Sequence, residues 1–400
     1  MAASDSSGLT LCGGLATLVA TRTQPTTMEY VNNLDRTEIT RLVRLERQSA
    51  TATADTWALT PISTGKSGAL VYRAKGSGSD RGAQFTWSLI LKYCTNIGRF
   101  NHKYALDDPN WQREILLGQS GLLDDLSAGL RPPRFIDARQ QSPAEIALWL
   151  EDVGDNWAED WPLTRYGLAA FHLGQFNAHY AGRPPQDHWL GRDQWSDYVK
   201  EFCPSAIQGL KKHQDHPEVL AVYPRPIQQR LYDLTDACTQ LIAHAHALSP
   251  LTLYHGDPSG RNLFDYQGTT VAIDWFDTGI APLGEEIARM VGSSMHWFFI
   301  GRMDRAPALV ETVLTRYIEG LRAAGWQGDP AVVSYTFKAA LGTIYALCYT
   351  GIANGIVENR IEDRARNAYK TTVPELLTHM GEISRFCLDQ ADAARALAQI

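Results

Sequence analysis

The chain has 400 residues, of which 44% are hydrophobic and 20% are charged, and its formal net charge is −7. These proportions are typical of a folded globular protein and exclude an intrinsically disordered one. The acidic balance argues against a nucleic-acid binder, which needs clustered Lys and Arg, and the length predicts two lobes, each with its own core.

No segment has the features of a membrane anchor. Residues 8–20 are mildly apolar, but they lack a basic region, and glycines interrupt a run that is too short to span a bilayer. No later stretch reaches the unbroken apolar length of a membrane helix. The six cysteines are scattered without a CxxC pair or metal-ligand spacing, which indicates reduced thiols. We therefore expect a cytoplasmic protein with no membrane partner.

The first 150 residues predict a β-rich lobe. A helix is expected over 37–48, and residues 75–82 have hairpin-loop chemistry. A second helix begins at about residue 109, because Asp108 is a good N-cap and proline suits the first helical position. Apolar runs bounded by turns predict five strands, at 57–62, 69–74, 85–93, 134–138 and 145–151. The prediction is one antiparallel five-stranded sheet with one main helix.

Beyond residue 151 the pattern changes to long helices. They are expected at 163–180, 195–209, 228–247, 309–324, 331–354 and 373–397, with one strand-like interruption at 262–275. The predicted fold class is α+β. The expected organisation is an N-terminal extension and helix over 1–50, a β-rich lobe over 51–150 and a mostly helical lobe over 151–400.

The segment 254–275, YHGDPSGRNLFDYQGTTVAIDW, carries the candidate chemistry. Gln267 and Gly268 predict a turn between two apolar runs, so the segment should form a β-hairpin. Counting outward from the turn places Asn262 and Asp274 at the same open end. Asp257 belongs to the preceding loop, where the neighbouring glycines allow a tight backbone path.

Oxygen-bearing side chains in this order suit a magnesium site. Mg²⁺ takes one or two protein oxygen ligands and completes its shell with phosphates and water, while a further carboxylate can accept the proton of an attacking hydroxyl. The alternative is that Asp257, Asn262 and Asp274 are only turn residues. The ordered set, with an acidic residue closing an apolar strand, favours a functional site.

These residues resemble the motif of the aminoglycoside phosphotransferase and choline kinase-like family, HGDxxxxN followed by IDW or IDF. The resemblance covers about residues 58–289. It implies a protein kinase-like two-lobe fold and transfer of the γ-phosphoryl group of ATP or GTP to a small-molecule hydroxyl. It would make Asp257 the catalytic base or hydroxyl-orienting residue, and Asn262 and Asp274 the Mg²⁺ ligands.

The same resemblance assigns Lys92, at the end of the apolar run SLILK, to the α- and β-phosphates. Glu114 is the first glutamate downstream and lies on the next predicted helix, so it is the expected ion-pair partner. A surface lysine and a solvated helix glutamate are the alternative. The resemblance also places the adenine against backbone groups near Leu150 to Val153, at the end of the fifth strand.

The turn TGKSG, residues 64–68, could cover the phosphates with Gly65, Ser67 and Gly68. A Walker A loop is a competing interpretation, since Gly65-Lys66-Ser67 carries its ending. That loop needs a glycine where Thr60 stands and a helix where a strand is predicted, so we discount it.

Three activities remain open for such a chain: a small-molecule kinase, a kinase-like enzyme for peptide Ser or Thr in natural-product biosynthesis, and a non-catalytic nucleotide-binding scaffold. The short stretch over 276–284 leads directly into helices and favours a small substrate over a peptide. Carboxylates that could hold an amine of the acceptor are Asp155, Glu159, Asp160, Glu285 and Glu286.

Overall fold

The computed structural model describes residues 25–64, 69–97, 105, 107–124, 126, 129–155 and 161–399. Helices α1 (Pro25–Asn32) and α2 (Arg36–Arg47) precede the first strands. Asp35 caps α2 by accepting a hydrogen bond from the backbone N–H of Glu38, and the helix ends at Gln48 in the left-handed conformation. The predicted helix over 37–48 is thus confirmed.

The N-terminal lobe is one antiparallel sheet of five strands in the order β1-β2-β3-β6-β5. One face of β3 carries Trp87, Leu89, Leu91 and Tyr93, which pack against α2. The opposite face carries Lys92, because side chains alternate along a strand. The strands are β1 (Thr53–Thr64), β2 (Leu70–Asp80), β3 (Ala83–Thr95), β5 (Phe135–Ser142) and β6 (Glu145–Glu151).

The predicted hairpin loop over 75–82 is wrong, because β2 continues to Asp80 and the turn contains only Arg81 and Gly82. The glycines of this segment serve close packing within the sheet. A Cβ atom on Gly76 would lie 1.9 Å from the carbonyl oxygen of Thr56 and 2.7 Å from the Trp87 ring. The missing side chain therefore leaves room for the aromatic ring that covers the strand.

The main helix of this lobe begins as predicted. Asp108 caps a 3₁₀ turn (Pro109–Gln112), which continues into α3 (Arg113–Ser120). Gly121 adopts a left-handed conformation and ends the helix before residue 122. The helix covers the Lys92 face of the sheet through Trp111 and Ile115, which pack on Leu148 and Leu150.

The second lobe is mostly helical around one large core, and α4 packs along α9. Its long helices follow the sequence predictions closely, whereas α6, α8, α11 and α12 were not predicted as separate helices. The bounds are α4 (Leu163–Tyr180), α5 (Gln194–Lys212), α6 (Pro217–Val222), α7 (Arg225–Leu248), α8 (Glu285–His296), α9 (Ala306–Ala323), α10 (Pro330–Leu341), α11 (Ile352–Val357), α12 (Ile361–Arg364) and α13 (Val373–Ala398).

Short strands lie between α7 and α8, and they position the candidate site. β8 (Leu263–Tyr266) and β9 (Thr269–Ala272) form the predicted hairpin, and β4 (Leu130–Arg131) pairs with β9 in parallel. β7 (Leu251–Tyr254) pairs with β10 (Gly279–Pro282). β4, β7 and β10 were not predicted.

The predicted helix over 331–354 is interrupted. A π-helical turn (Gly342–Ala346) and a 3₁₀ turn (Tyr349–Gly351) separate α10 from α11. Gly342 packs so closely on α13 that an added Cβ would lie 2.5 Å from the Cβ of Ala391. Contrary to the sequence prediction, the segment Pro330–Val357 is long and apolar enough to cross a membrane. However, 83% of its most apolar 18-residue stretch is buried inside the protein, as in a core helix.

The cysteines agree with the sequence prediction in part. Cys94, Cys203, Cys238 and Cys387 are buried free thiols.

The glycine packing in β2 can be tested with a matched pair of substitutions. We expect Gly76→Ala to lower the free energy of unfolding by about 2 kcal/mol, because the added methyl meets backbone and a ring. Gly355→Ala in α11, where an added Cβ meets nothing within 4 Å, should instead raise it by about 0.5 kcal/mol. Denaturant unfolding measures both, and a Gly76→Ala protein as stable as the wild type would contradict the packing argument.

Candidate active site

The side chain of Lys92 connects the two lobes. Its Nζ lies 2.5 Å from Oε2 of Glu114 on α3 and 2.5 Å from Oδ1 of Asp274, just after the hairpin. The side chains of Lys92 and Glu114 are only 10% and 9% exposed, and that of Asp274 is 35% exposed. The predicted pairing of Lys92 with Glu114 is therefore present, and Asp274 is a third member that the sequence did not connect to them.

Electrostatics keep Lys92 charged. Burial acts to lower the pKa of its ammonium group, but the negative charges of Asp274 and Glu114 outweigh burial and raise the pKa above its ordinary value. The buried cation is thus stabilised by two carboxylates from distant parts of the chain.

Arg113, the neighbour of Glu114, fixes α3 against the helical lobe. It is buried, and it donates hydrogen bonds from Nε to the carbonyl of Trp189 (2.8 Å) and from Nη1 to the carbonyl of Phe276 (2.9 Å). Because Phe276 follows Asp274 by two residues, both side chains of the Arg113-Glu114 pair reach the same segment. Arg113 was not among the predicted site residues, although a charged pair in an apolar helix was a possible signal.

The hairpin brings Asn262 and Asp274 to its open end. Gln267 and Gly268 have φ values of 53° and 83°, the left-handed pair of a type I′ turn. At the other end the backbone N–H of Ile273 donates to the carbonyl of Asn262 at 2.8 Å. Asp274 follows in a left-handed conformation, φ 62° and ψ 58°, which is uncommon outside glycine and directs its carboxylate toward Lys92.

Asp257 lies beside Asn262. The amide Nδ2 of Asn262 donates to the carbonyl of Asp257 at 2.9 Å and to its Oδ2 at 3.3 Å. The loop depends on Gly256, whose φ is 90° and where a Cβ would lie 1.9 Å from the carbonyl oxygen of Asp277. Residues with a side chain cannot occupy this position without moving the backbone that carries Asp257.

His255 links the Asp257 loop to the Asp274 strand. Its Nδ1 accepts a hydrogen bond from the backbone N–H of Asp257 at 3.2 Å, so its Nε2 is the donor to the carbonyl of Ile273 at 2.9 Å. The ring is fully buried against Trp275, and burial lowers the pKa of His255, which favours this neutral tautomer. The positions of Asp257 and Asp274 are therefore coupled through one imidazole.

Glu286, in the first turn of α8, supports the same loop. Its Oε1 accepts a hydrogen bond from the backbone N–H of His255 at 2.6 Å, and its side chain is buried. Burial raises the pKa of Glu286 to about 7, against the opposing effect of hydrogen bonds from Asn177 and from the backbone of His255 and Gly256. Glu285 is equally buried and forms an ion pair with Arg289 at 2.9 Å.

These contacts argue against the suggestion that Glu285 and Glu286 hold an amine of the acceptor, because both side chains are buried. Glu285 pairs with Arg289, and Oε1 of Glu286 accepts from the backbone N–H of His255. Asp155 also has a partner within the protein, since its Oδ1 lies 2.7 Å from Nη2 of Arg73. Glu159 and Asp160 lie outside the described residues.

The remaining predicted nucleotide-binding positions are only partly described. Leu150 is buried on β6 opposite Ile90, and Val153 packs against Phe264 and Val271 of the hairpin. Gly65, Ser67 and Gly68 lie outside the described residues, in the segment that joins the paired ends of β1 and β2.

The turn end of the hairpin is anchored to α4 by Arg165. Its Nε lies 3.1 Å from Oδ2 of Asp265, and its Nη1 donates to Oγ1 of Thr270 at 3.0 Å. His172 contacts the same hydroxyl at 3.0 Å, and burial lowers the pKa of His172 to about 4. His172 and Arg165 therefore hold the hairpin against α4.

The residues at the open end fit a hard cation that shares its shell with phosphates. Because Nδ2 of Asn262 faces Asp257, its amide oxygen faces away from that residue, and the Asp274 carboxylate is partly exposed. Within the described ranges, no three His, Cys, Asp or Glu side chains form a cluster that could hold a metal ion by themselves. This donor set suits Mg²⁺, which needs few protein ligands, better than a metal held entirely by the protein.

We expect Lys92→Met to lower the free energy of unfolding by about 3 kcal/mol at pH 8, because it leaves two carboxylates without their shared buried cation. The double variant Lys92→Met/Glu114→Leu should recover part of this loss, since it removes the more buried carboxylate as well. Denaturant unfolding of both variants measures the effect. Equal stability of Lys92→Met and the wild type would show that the ion pairs contribute nothing.

Glu286 should make stability depend on pH. The pKa of Glu286 is raised in the folded protein, so the stability that its protonated carboxyl group contributes is fully present below the pKa of Glu in the unfolded chain. That stability is lost as the pH rises through about 7. Relative to the wild type, Glu286→Gln should therefore gain about 2 kcal/mol of unfolding free energy between pH 5 and pH 8. The same substitution at the exposed Glu218 is the control, and a pH-independent difference for Glu286→Gln would contradict the raised pKa.

Comparison with known proteins gives structural matches alone. No protein-family model matches the sequence, and no curated protein matches it. Choline kinase from Cryptosporidium parvum Iowa II superposes with a TM-score of 0.51 at 12% identity, over 91% of this chain and 99% of that chain. Amicoumacin kinase in complex with AMP-PNP, Ca²⁺ and Ami has a TM-score of 0.49 at 15% identity, over 90% and 96% of the two chains.

An aminoglycoside phosphotransferase from Alicyclobacillus acidocaldarius also matches, with a TM-score of 0.49 at 13% identity, over 85% of this chain and 91% of that chain. The likeness to choline kinase extends over nearly the whole of both chains. The chain therefore has the two-lobe kinase-like fold, with a five-stranded sheet and a mostly helical second lobe, that its sequence predicted.

Proposed function

We propose that this chain transfers the γ-phosphoryl group of ATP or GTP to a hydroxyl group of a small molecule. The observation that carries the proposal is the joint placement of Lys92, Glu114 and Asp274 at the cleft face of the sheet, next to Asp257 and Asn262. Such transfer requires little covalent chemistry from the protein, which mainly positions the reactants and stabilises charge.

Each side chain has a distinct role in this proposal. Lys92 contacts the α- and β-phosphates while Glu114 holds its ammonium group in place. Asp257 orients the acceptor hydroxyl and accepts its proton, and Asn262 keeps the Asp257 carboxylate in position through its amide N–H. Asn262 and Asp274 would hold Mg²⁺, which when bound supplies positive charge to the phosphate oxygens.

The charge balance of the site supports a divalent cation. Glu114, Asp274 and Asp257 are carboxylates, and Lys92 is the cation that contacts two of them. A nucleoside triphosphate would bring several more negative charges into the same cleft. At short range inside a protein, repulsion between like charges is worth several kcal/mol, so nucleotide binding here should need added positive charge.

The acceptor is more consistent with a small molecule than with a peptide. The chain passes from Asp274 through one 3₁₀ turn (Trp275–Asp277) into β10, whose Gly279 pairs with Tyr254, and then enters α8. This path leaves no long segment on which a peptide could dock. Choline kinase, which shares the fold, is named for a small amino alcohol, and amino alcohols, aminoglycosides and sugars are the acceptors to test first.

The proposal is tested by screening the full chain with ATP or GTP and Mg²⁺ against aminoglycosides, amino alcohols, sugars and peptides, with mass spectrometry to detect the phosphorylated product. For any acceptor found, we expect Asp257→Asn to lower kcat about a thousandfold, because it removes the group that orients the hydroxyl and takes its proton. Nucleotide binding, measured by calorimetry, should change little.

Asp265→Asn is the matched control, since it makes the same substitution at the opposite end of the same hairpin, where the carboxylate pairs with Arg165. It should affect stability and leave kcat nearly unchanged. Turnover retained by Asp257→Asn would remove Asp257 from the mechanism. A wild-type protein that binds nucleotide but neither transfers nor hydrolyses phosphate would instead favour the non-catalytic scaffold.

A further inference from the structure

The linker between the two lobes is unusually acidic, and two arginines from outside it pair with its carboxylates. Residues 151–155 read EDVGD, with three carboxylates in five positions. Arg131 contacts Glu151 from Nη1 at 2.6 Å and from Nη2 at 3.1 Å. Arg73 contacts both Asp152 and Asp155. The linker is therefore held from two sides.

All three nitrogen atoms of the Arg73 guanidinium group lie close to carboxylate oxygens of the linker. Its Nε lies 2.9 Å from Oδ2 of Asp152, and its Nη2 lies 3.2 Å from Oδ1 of the same carboxylate. Nη1 and Nη2 donate to Asp155 at 3.1 Å and 2.7 Å, and Nη2 also lies 3.3 Å from the carbonyl of Gly154. Ser88 donates a further hydrogen bond to Asp152. Hydrogen bonds from Arg73 lower the pKa of Asp155.

The register of the sheet places the Arg73 contacts on the cleft face. Val71 is opposite Lys92, and Arg73 is opposite Ile90, which in turn is opposite Leu150. Paired residues of neighbouring strands point to the same face, so Arg73 lies on the face that carries Lys92, about 7 Å further along β2. Its side chain is only 15% exposed, and that of Asp152 is 7% exposed.

Arg131 ties the other side of the linker to the candidate catalytic hairpin. It belongs to β4, whose residues Leu130 and Arg131 pair with Thr270 and Val271 of β9. Glu151 also accepts a hydrogen bond from the backbone N–H of Arg134 at 2.9 Å. The linker thus has fixed contacts with the sheet through Arg73 and with the hairpin through Arg131.

We propose that Arg73 is a positioning residue for the nucleotide, because it holds in one conformation the linker against which the sequence resemblance places the base. This inference rests on the proposed function. Gly154 has a φ of 84° and no side chain to restrain it, so the linker around Gly154 and Asp155 would sample more conformations without the Arg73 contacts. Nucleotide binding would then have to order these residues, and affinity would fall.

The geometry also explains why an arginine is needed. A guanidinium group presents donors in a planar fork and can contact two carboxylates and a carbonyl at once, whereas an ammonium group is a single point of charge. Arg73→Lys keeps the positive charge and loses the fork. The Arg73→Lys variant therefore distinguishes two roles of Arg73: holding the linker, and neutralising acidic residues near a triphosphate.

The test is calorimetric titration of the full chain with non-hydrolysable analogues of ATP and GTP, in the presence of Mg²⁺ and without acceptor. We expect Arg73→Gln to weaken nucleotide binding about tenfold, and Arg73→Lys to weaken it nearly as much. With an acceptor from the screen, the KM for nucleotide should rise in parallel, while kcat at saturating nucleotide and the KM for acceptor stay unchanged.

Arg41→Gln is the matched control. Arg41 pairs with Glu38 and Asp137 in the same lobe, and it belongs to α2, which packs on the sheet face opposite Lys92. Its loss should lower stability without affecting nucleotide affinity. The inference is overturned if Arg73→Gln binds within about twofold of the wild type, if Arg73→Lys restores full affinity, or if Arg41→Gln is equally impaired. A wild type that binds neither analogue refutes the proposed function itself.

Discussion

The buried ammonium group of Lys92 is the constraint on which the site depends. Removing a charge from water costs several kcal/mol, and this cost is offset only when Glu114 and Asp274 both lie against the ammonium group. These three residues come from β3, α3 and the end of the hairpin, which are distant in sequence. The sheet, the helix and the hairpin must therefore all be correctly placed for the cation to be stable, and their correct placement assembles the cleft.

A second network ties Asp257 to the same arrangement. His255 joins the backbone of Asp257 to the strand that ends in Asp274, and Glu286 holds the backbone of His255 from α8. Further back, Asn177 of α4 donates to the carbonyl of Leu253 and accepts from the hydroxyl of Tyr317 on α9. Buried polar groups that are bonded in this way rigidify a site, because displacing them leaves a donor or acceptor unsatisfied.

The sequence predicted those features that depend on nearby residues. The turn at Gln267 and Gly268 has its own backbone preference, so the hairpin followed from local chemistry and placed Asn262 and Asp274 at one end. Helix α4 and strand β6 also matched their predicted bounds, because their apolar patterns are uninterrupted.

Features that depend on distant partners were missed. The Gly-Ser segment of β2 has the composition of a loop, and only the rings of Trp87 and Phe85 and the backbone of β1 make it a strand. Glu285 and Glu286 were candidates for holding the acceptor because Arg289 and the backbone of His255 become their partners only in the folded chain. The same limit applies to Arg73 and Arg131, whose partners in the linker lie 20 or more residues away.

The two arginines and Lys92 together shape the charge of the cleft. Arg73 and Arg131 pair with the three carboxylates of the linker and offset two of its three negative charges, which weakens the repulsion of a triphosphate. Lys92 lies with Glu114 and Asp274 at the point where phosphates would bind under the proposed function. Under the proposed function, Asp274 has to exchange part of its contact with Lys92 for a divalent cation when the nucleotide enters. Its 35% exposure and the opposite placement of the well-buried Glu114 make that exchange possible at Asp274 rather than at Glu114. Under the proposed function, the asymmetry in burial between the two carboxylates therefore favours Glu114 for holding the lysine and Asp274 for the metal.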